Sequence, residues 1–395
     1  MEEQEKLRAL ARAAAWDEEG ETATTAGSCP KADAQALPIY WAAVGGRRVP
    51  LFKTLLTSAC ERHCAYCPFR AGRDTPRLTF RPATLAARLA ALTRRGVAQG
   101  VMLSSGLAGG SIATQDRLLE TAALLRRYGF QGYLHLKLMP AAEEAQIAAA
   151  MRLADRVSVN LEAPGPAYLR RLAPEKDFWE ELFPTLQRAA ALRRHALAAG
   201  APFRAASLTT QFVVGAADET DAALLTWSAR LLREIGVARV YYSAFRPIAD
   251  TPLENHPAAQ PARVRRLYRA FFLLRDYGFA PAELLPPDGQ FLPADDPKTW
   301  WAQHHLREQP VELNTAPRAM LLRVPGIGPR RAEAILRARR QVTLRDLGQL
   351  QALGIPPAKA APFVLLAGRR PPTQPSLWGE GPQTPPSSKP PTAQR

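Results

Sequence analysis

From about residue 50 the chain alternates short apolar or β-branched runs with longer stretches of helical periodicity. The runs 51–57 (LFKTLLT), 100–104 (GVMLS), 132–138 (GYLHLKL), 156–162 (RVSVNLE), 208–214 (LTTQFVV) and 238–244 (ARVYYSA) read as strands. Helical patterns near 83–95, 115–128, 141–151, 178–199 and 219–235 separate them. Strands that alternate with helices pair in parallel, because each crossover helix carries the chain back to the edge where the last strand began. The pattern therefore predicts an α/β fold of six β/α units, a (β/α)6 partial TIM barrel, closed or partly closed.

Period-2 alternation assigns faces within these strands. His135 and Lys137 share one face of the third run, opposite Leu134, Leu136 and Leu138. In the fourth, Ser158, Asn160 and Glu162 oppose Val157, Val159 and Leu161. With the apolar faces under the helices, the polar sets line the barrel lumen. The rest divides into an N-terminal helix and loop over 1–49, the barrel over 50–255, a helical and irregular connector over 256–310, a compact all-α region over 311–368, and a Pro-rich tail over 369–395 that composition marks as disordered.

Composition narrows the class. A 47% hydrophobic content over 395 residues supplies a sizeable core, and a net charge of +16 favours a polyanionic partner, nucleic acid first. The acidic N-terminus and the lack of any long uncharged apolar stretch point to a soluble, cytoplasmic protein with no membrane partner. There are 4 Cys, and three of them stand at 60, 64 and 67. That clustering argues for metal ligands and against a disulfide framework.

Cys60-x3-Cys64-x2-Cys67 follows the first predicted strand, at the C-terminal mouth where barrel enzymes place their sites. Three thiolates on a tight loop can hold three irons of a [4Fe–4S] cubane and leave the fourth iron without a protein ligand. The competing reading is structural zinc. Zinc usually takes four ligands in two separated pairs, and only His63 stands near. The spacing, with Tyr66 just before the third Cys, resembles the radical S-adenosylmethionine (SAM) superfamily over roughly 50–255. That resemblance implies that SAM chelates the open iron and is cleaved reductively to a 5′-deoxyadenosyl radical, with an electron from a donor such as flavodoxin or ferredoxin.

The resemblance also assigns cofactor contacts to particular positions: Tyr66 in the cysteine loop; Ser104, Ser105 and Gly106, where the superfamily usually has a Gly-Gly-Glu-like segment; Asn160 and Glu162 after the fourth strand; Gln211 at the fifth; and Arg246 after the sixth. Arg246 suits either a cofactor carboxylate or a substrate phosphate. Cys29 is a candidate hydrogen donor to a product radical, against the plainer reading of an ordinary unliganded Cys.

Toward the C-terminus, Val324-Pro-Gly326-Ile-Gly328-Pro-Arg330-Arg331 joins two helical runs. Two glycines let backbone N–H groups face outward beside a helix start and two guanidinium groups, a combination that suits phosphate. The segment is similar to the helix-hairpin-helix DNA-binding motif, with a degenerate second copy at 353–360, and 311–368 holds nine Lys and Arg against three Asp and Glu. Together with Leu313-Asn-Thr-Ala-Pro-Arg318 and Leu172-Ala-Pro-Glu-Lys176, it resembles a bacterial family of radical SAM proteins described as DNA modification or repair proteins, associated with a uracil-DNA-glycosylase-like partner. The expected function is radical SAM chemistry on DNA. The alternatives are an iron–sulfur DNA-binding scaffold or redox sensor, and radical chemistry on RNA or protein.

Overall fold

The computed structural model describes residues 2–16, 37–44, 47–200, 206–287 and 289–372. The chain divides into two compact units at 297/298. The first unit opens with helix α1 (Glu3–Ala13) and a 3-10 turn to Trp16. It continues through β1 (Ile39–Val44), β2 (Arg47–Leu55), α2 (Pro82–Arg94), β3 (Gly100–Ser104), α3 (Ser111–Arg127), β4 (Tyr133–Lys137), α4 (Glu144–Leu153), β5 (Arg156–Ser158), α5 (Pro166–Leu172) and α6 (Phe183–Ala198). It closes with β6 (Ser207–Val214), α7 (Asp221–Arg230), β7 (Arg239–Ala244) and α8 (Pro261–Tyr277).

The sheet has seven strands in the order β1 to β7. Strands β2 to β7 are the six that the apolar runs predict, and they pair in parallel. The seventh is an addition. β1 pairs antiparallel with β2, Ile39 opposite Phe52 and Val44 opposite Arg47, and makes a hairpin at one edge. Among the described residues no pairing joins β7 back to β1, so the barrel is open. It is nonetheless curled: residues within β2 to β6 or just beyond their ends, namely Leu55, Ser104, Lys137, Asn160 and Gln211, line one cavity. A flat sheet cannot bring side chains from five successive strands to one space.

The two faces divide as the alternation predicts. Leu134, Leu136 and Val157 are fully buried on the helix side. The lumen side is buried and polar, and its groups are paired across strands. His135 Nε2 lies 2.9 Å from Ser158 Oγ, Lys137 donates to Asn160 Oδ1 at 2.7 Å, and Gln211 Nε2 donates to Ser243 Oγ at 2.5 Å. Such pairing is required, since a polar group buried without a partner costs several kcal/mol. The fourth predicted strand is shorter than its pattern: β5 ends at Ser158, and the chain rejoins the sheet at Glu162, which bridges Phe212 with φ of +65°.

The second unit contains α9 (Pro297–His305), β8 (Val311–Glu312), α10 (Arg318–Leu321), α11 (Pro329–Ala338), α12 (Leu347–Ala352), α13 (Pro357–Ala360) and β9 (Val364–Leu365). It departs from the all-α expectation, because β8 and β9 pair in parallel and tie its two ends together. Asn314 adds a second tie, its amide accepting from Leu344 N and donating to Leu344 O. The α10–α11 and α12–α13 connections share a pattern. Gly326-Ile327 and Gly354-Ile355 both have a left-handed glycine followed by a fully buried isoleucine, and Ala332 and Ala360 are buried at matching positions after them. A Cβ on Gly326 would stand 3.3 Å from Lys359 Cβ and 3.4 Å from Pro356 Cδ, so the two turns lie against each other. Among the described residues no helix is long and apolar enough to cross a membrane.

One close approach fixes where the cysteine loop sits. A Cβ on Gly106 would fall 2.3 Å from Ala59 O and 3.2 Å from Thr57 O, so only glycine fits where the end of β3 meets that loop. Gly106→Ala is expected to push the loop off β3 at a cost of about 1–3 kcal/mol. A circular-dichroism melt of the metal-free protein should show a Tm several degrees below wild type; an unchanged Tm would mean that the loop is free to move.

Candidate cluster and cofactor site

The loop that carries the three cysteines has no regular structure of its own and is held by backbone and side-chain bonds to its neighbours. Glu61 N donates to Leu107 O and Gly106 N to Thr57 O, which join the loop to the end of β3. Glu61 Oε2 in turn accepts from Gly109 N and Gly110 N. On the other side Ala65 N donates to Leu172 O, Arg62 donates to Glu175 O, and His63 pairs with the Glu175 carboxylate at 2.6 Å. His63 therefore faces outward, about half exposed, and does not line the cavity of the cysteines.

Cys60, Cys64 and Cys67 are all free thiols, and all three line that cavity. Burial pushes the Cys64 thiol up and the Cys67 thiol up to about 12. A thiol so placed ionises only beside a cation or a metal. Among the described residues, no three His, Cys, Asp or Glu side chains are grouped to hold a single ion. Three soft thiol donors around an open space, without a fourth ligand, suit a cluster that leaves one iron open rather than closed tetrahedral zinc.

Glu162 is the hub beside the thiols. Its carboxylate is buried and accepts from Tyr66 Oη at 2.5 Å through one oxygen and from Lys176 Nζ at 2.8 Å through the other. A non-glycine residue at φ +65° stores strain, and here that strain aims the carboxylate into the cavity. Burial works against the charge of Lys176, yet Cys64 and Glu162 outweigh it and hold the ammonium above its ordinary range. The Tyr66 hydroxyl is driven well above its usual range by burial and by the Glu162 carboxylate.

The cavity, about 190 Å³, gathers Tyr66, Ser104, Ser105, Gly106, Asn160, Glu162 and Gln211 with the three cysteines. Arg246 lines an adjoining cavity of about 270 Å³, which shares Trp16, Tyr66 and Gln211 with the first. Gln211 Oε1 is buried and has no hydrogen-bond partner, while its Nε2 is taken by Ser243. Whichever way the amide is turned, one polar atom awaits a ligand. Cys29 lies outside the described residues. Gly326, Gly328, Arg330 and Arg331 belong to the second unit: Arg330 is exposed, whereas Arg331 donates to Gly326 O at 2.9 Å and so also braces its own turn.

Sequence reasoning missed two contributions. Lys176 sits in the Leu172–Lys176 segment noted only for its resemblance, and its spacing of fourteen residues after Glu162 shows no periodicity that would link them. The N-terminal helix suggested no chemistry, yet Ala13 and Trp16 line the cavity, with Trp16 47% exposed at its mouth.

Residues 54–201, the stretch that holds the cysteine loop, Glu162 and Lys176, match the sequence model of the Radical SAM superfamily. That stretch is a radical SAM domain. Its cofactors are accordingly a [4Fe–4S] cluster and SAM. No curated protein matches the chain at a significant level. Solved structures similar to this chain include the FeFe-hydrogenase maturase HydG from Carboxydothermus hydrogenoformans, with 15% identity, TM-score 0.45, and coverage of 57% of this chain and 51% of that one. Methylornithine synthase PylB is 16% identical, TM-score 0.44, covering 58% and 64%. The enzyme anSMEcpe, solved with bound AdoMet, is 14% identical, TM-score 0.34, covering 57% and 60%. The chain thus spans less than two thirds of each of these structures.

Cys64→Ala removes the central of the three thiols and is expected to abolish cluster assembly. The anaerobically reconstituted variant should lack the broad absorbance near ~400 nm typical of iron–sulfur proteins; full retention of that band would count against these ligands.

Proposed function

We propose that this protein cleaves SAM reductively and directs the resulting radical at DNA, in modification or repair. The observation that carries the first half is the convergence of three free thiols, the Tyr66–Glu162–Lys176 triad and an unpartnered Gln211 amide atom on one cavity at the open end of the half-barrel. Cys60, Cys64 and Cys67 would hold the cluster. When bound, cluster and SAM together supply a 5′-deoxyadenosyl radical, formed by one-electron cleavage of the sulfur–carbon bond, that abstracts hydrogen from a substrate.

The protein's own residues bind, orient and exclude water. Lys176, the buried cation beside the thiols, suits the methionine carboxylate. Ser104, Ser105 and Gly106 offer hydroxyl and backbone groups to the methionine amine. Asn160 and Gln211 suit ribose hydroxyls, and Arg246 suits a carboxylate or phosphate at the adjoining cavity. Trp16 and Tyr66 wall off the lumen with apolar surface. The partner that supplies the electron would be a small one-electron donor such as a flavodoxin or ferredoxin.

For DNA, the support lies in the second unit. Two apposed glycine turns, one opening α11 at Gly328, carry exposed Arg330 and Lys359 in a region with nine basic and three acidic residues. This matches the helix-hairpin-helix reading, in which backbone N–H groups and basic side chains grip phosphates without regard to base sequence. A base inside a duplex would have to be extruded to reach the lumen. A uracil-DNA-glycosylase-like protein is a fitting partner, since it also acts on extruded bases.

Anaerobic incubation with dithionite and SAM should yield 5′-deoxyadenosine by mass spectrometry; none from protein with a full cluster would overturn the enzyme reading. Arg330→Glu combined with Lys359→Glu should weaken duplex binding by about tenfold or more at moderate salt, while uncoupled SAM cleavage stays at the wild-type rate. Undiminished duplex affinity would remove DNA as the target, and preferential binding of RNA in the same titration would redirect the substrate class.

A further inference from the structure

The cysteine loop is closed from behind by one guanidinium. Arg77 Nη1 donates to Ser58 O at 3.0 Å and to Phe69 O at 2.7 Å, and its Nη2 donates to Arg70 O at 2.7 Å and to Arg73 O at 3.0 Å. Ser58 stands two residues before Cys60 and Phe69 two residues after Cys67. A single nitrogen therefore bridges both shoulders of the loop.

The segment that carries Arg77 is itself registered against the chain just upstream of the loop. Ser58 N donates to Leu78 O at 2.9 Å and Phe80 N to Leu56 O at 3.0 Å. Leu78 N donates to Ser58 Oγ at 2.9 Å, and the Thr57 and Thr79 hydroxyls meet at 2.6 Å. Arg77 is thus delivered to the base of the loop by a short antiparallel bridge.

We infer that Arg77 is a positioning residue for the cluster, a clasp that sets the span of the loop and so the mutual placement of Cys60, Cys64 and Cys67. Carbonyls that turn inward across a loop need donors, and no helix or strand supplies them here. A guanidinium offers five N–H groups in a rigid plane and can serve four carbonyls at once; an ammonium has three donors and no fixed plane. Groups that orient metal ligands affect how tightly the metal is held even though they never touch it. Arg77 is part-buried and lies outside the set of residues that line either cavity, so its effect runs through the loop alone.

The inference rests on the cluster assignment, and the experiment separates the two. Wild type, Arg77→Ala and Arg77→Lys are reconstituted anaerobically and challenged with an iron chelator while the absorbance near ~400 nm is followed; the apo proteins are melted in parallel. Wild type without a cluster defeats the assignment and the clasp together. With wild type loaded, Arg77→Ala should lose its cluster at least tenfold faster, Arg77→Lys should fall between the two, and the reduced cluster of Arg77→Ala should give a broadened electron paramagnetic resonance signal, all with an apo Tm close to wild type. Cluster loss at the wild-type rate overturns the clasp. So does an Arg77→Ala protein that fails to fold or whose apo Tm collapses, because Arg77 would then serve the fold at large.

Discussion

Three thiols hold a metal cluster in place only if the residues between them keep one shape, and the stretch from Cys60 to Cys67 contains no helix or strand to enforce it. Its shape comes from outside. The end of β3 presses on it at Gly106, where no side chain fits; the 172–181 segment takes hydrogen bonds from Arg62, His63 and Ala65; and the bridge at 78–80 brings Arg77 beneath it. Each support comes from a different part of the fold. The sheet order places β2 beside β3, and the α5–α6 connection supplies the acceptors on the other side, so the loop's supports come together only in the assembled half-barrel.

The same closure creates an electrostatic problem that the lumen solves internally. Curling the sheet moves His135, Lys137, Glu162, Lys176 and Gln211 out of water, and a buried charge is tolerated only with a partner. Two pairs run between β4 and the chain at β5, His135 with Ser158 and Lys137 with Asn160, and a third joins Glu162 to Lys176 of the α5–α6 connection. Lys176 does two things at once, since it balances Glu162 and sets a positive charge beside thiols that burial makes reluctant to ionise. An anionic cluster is easier to bind in such a place than in a lumen of neutral groups. The strained backbone at Glu162 is the cost of aiming one carboxylate at both Tyr66 and Lys176.

How much of this could be read from residues alone follows from the range of the interactions. The cysteine spacing is local, and so is the alternation that put His135, Lys137, Ser158 and Asn160 on the lumen face; both were legible. Strand β1 was also within reach: Gly45-Gly46 between Ile39–Val44 and Arg47–Leu55 is a two-residue hairpin signal, overlooked beside the stronger β/α rhythm that follows. Lys176 and Trp16 were not legible, because each reaches the cavity through a long-range contact that no spacing encodes. The left-handed turn at Glu162 was hidden for a different reason. Period-2 alternation runs on through 156–162 as if the strand continued, and the sequence gives no sign that tertiary pairing to Phe212 breaks it.

The two units also divide the labour of selectivity in the proposed reaction. In that proposal glycine turns and exposed basic side chains recognise phosphate, which every nucleotide carries, so the second unit would contribute affinity without choice. Discrimination then has to arise where base or sugar atoms meet specific groups. In the first unit the groups that the proposal does not assign to SAM are few: Ser243 and Arg246 at the adjoining cavity, and the indole of Trp16, which lines both cavities. A site that offers a buried, unsatisfied hydrogen-bonding group rejects ligands that cannot complete it far more strongly than an apolar wall rejects a poor fit. By that argument the Gln211 amide is suited to selecting a hydroxyl-bearing ribose in the proposed reading, and the choice among bases would fall to the adjoining cavity of Ser243 and Arg246.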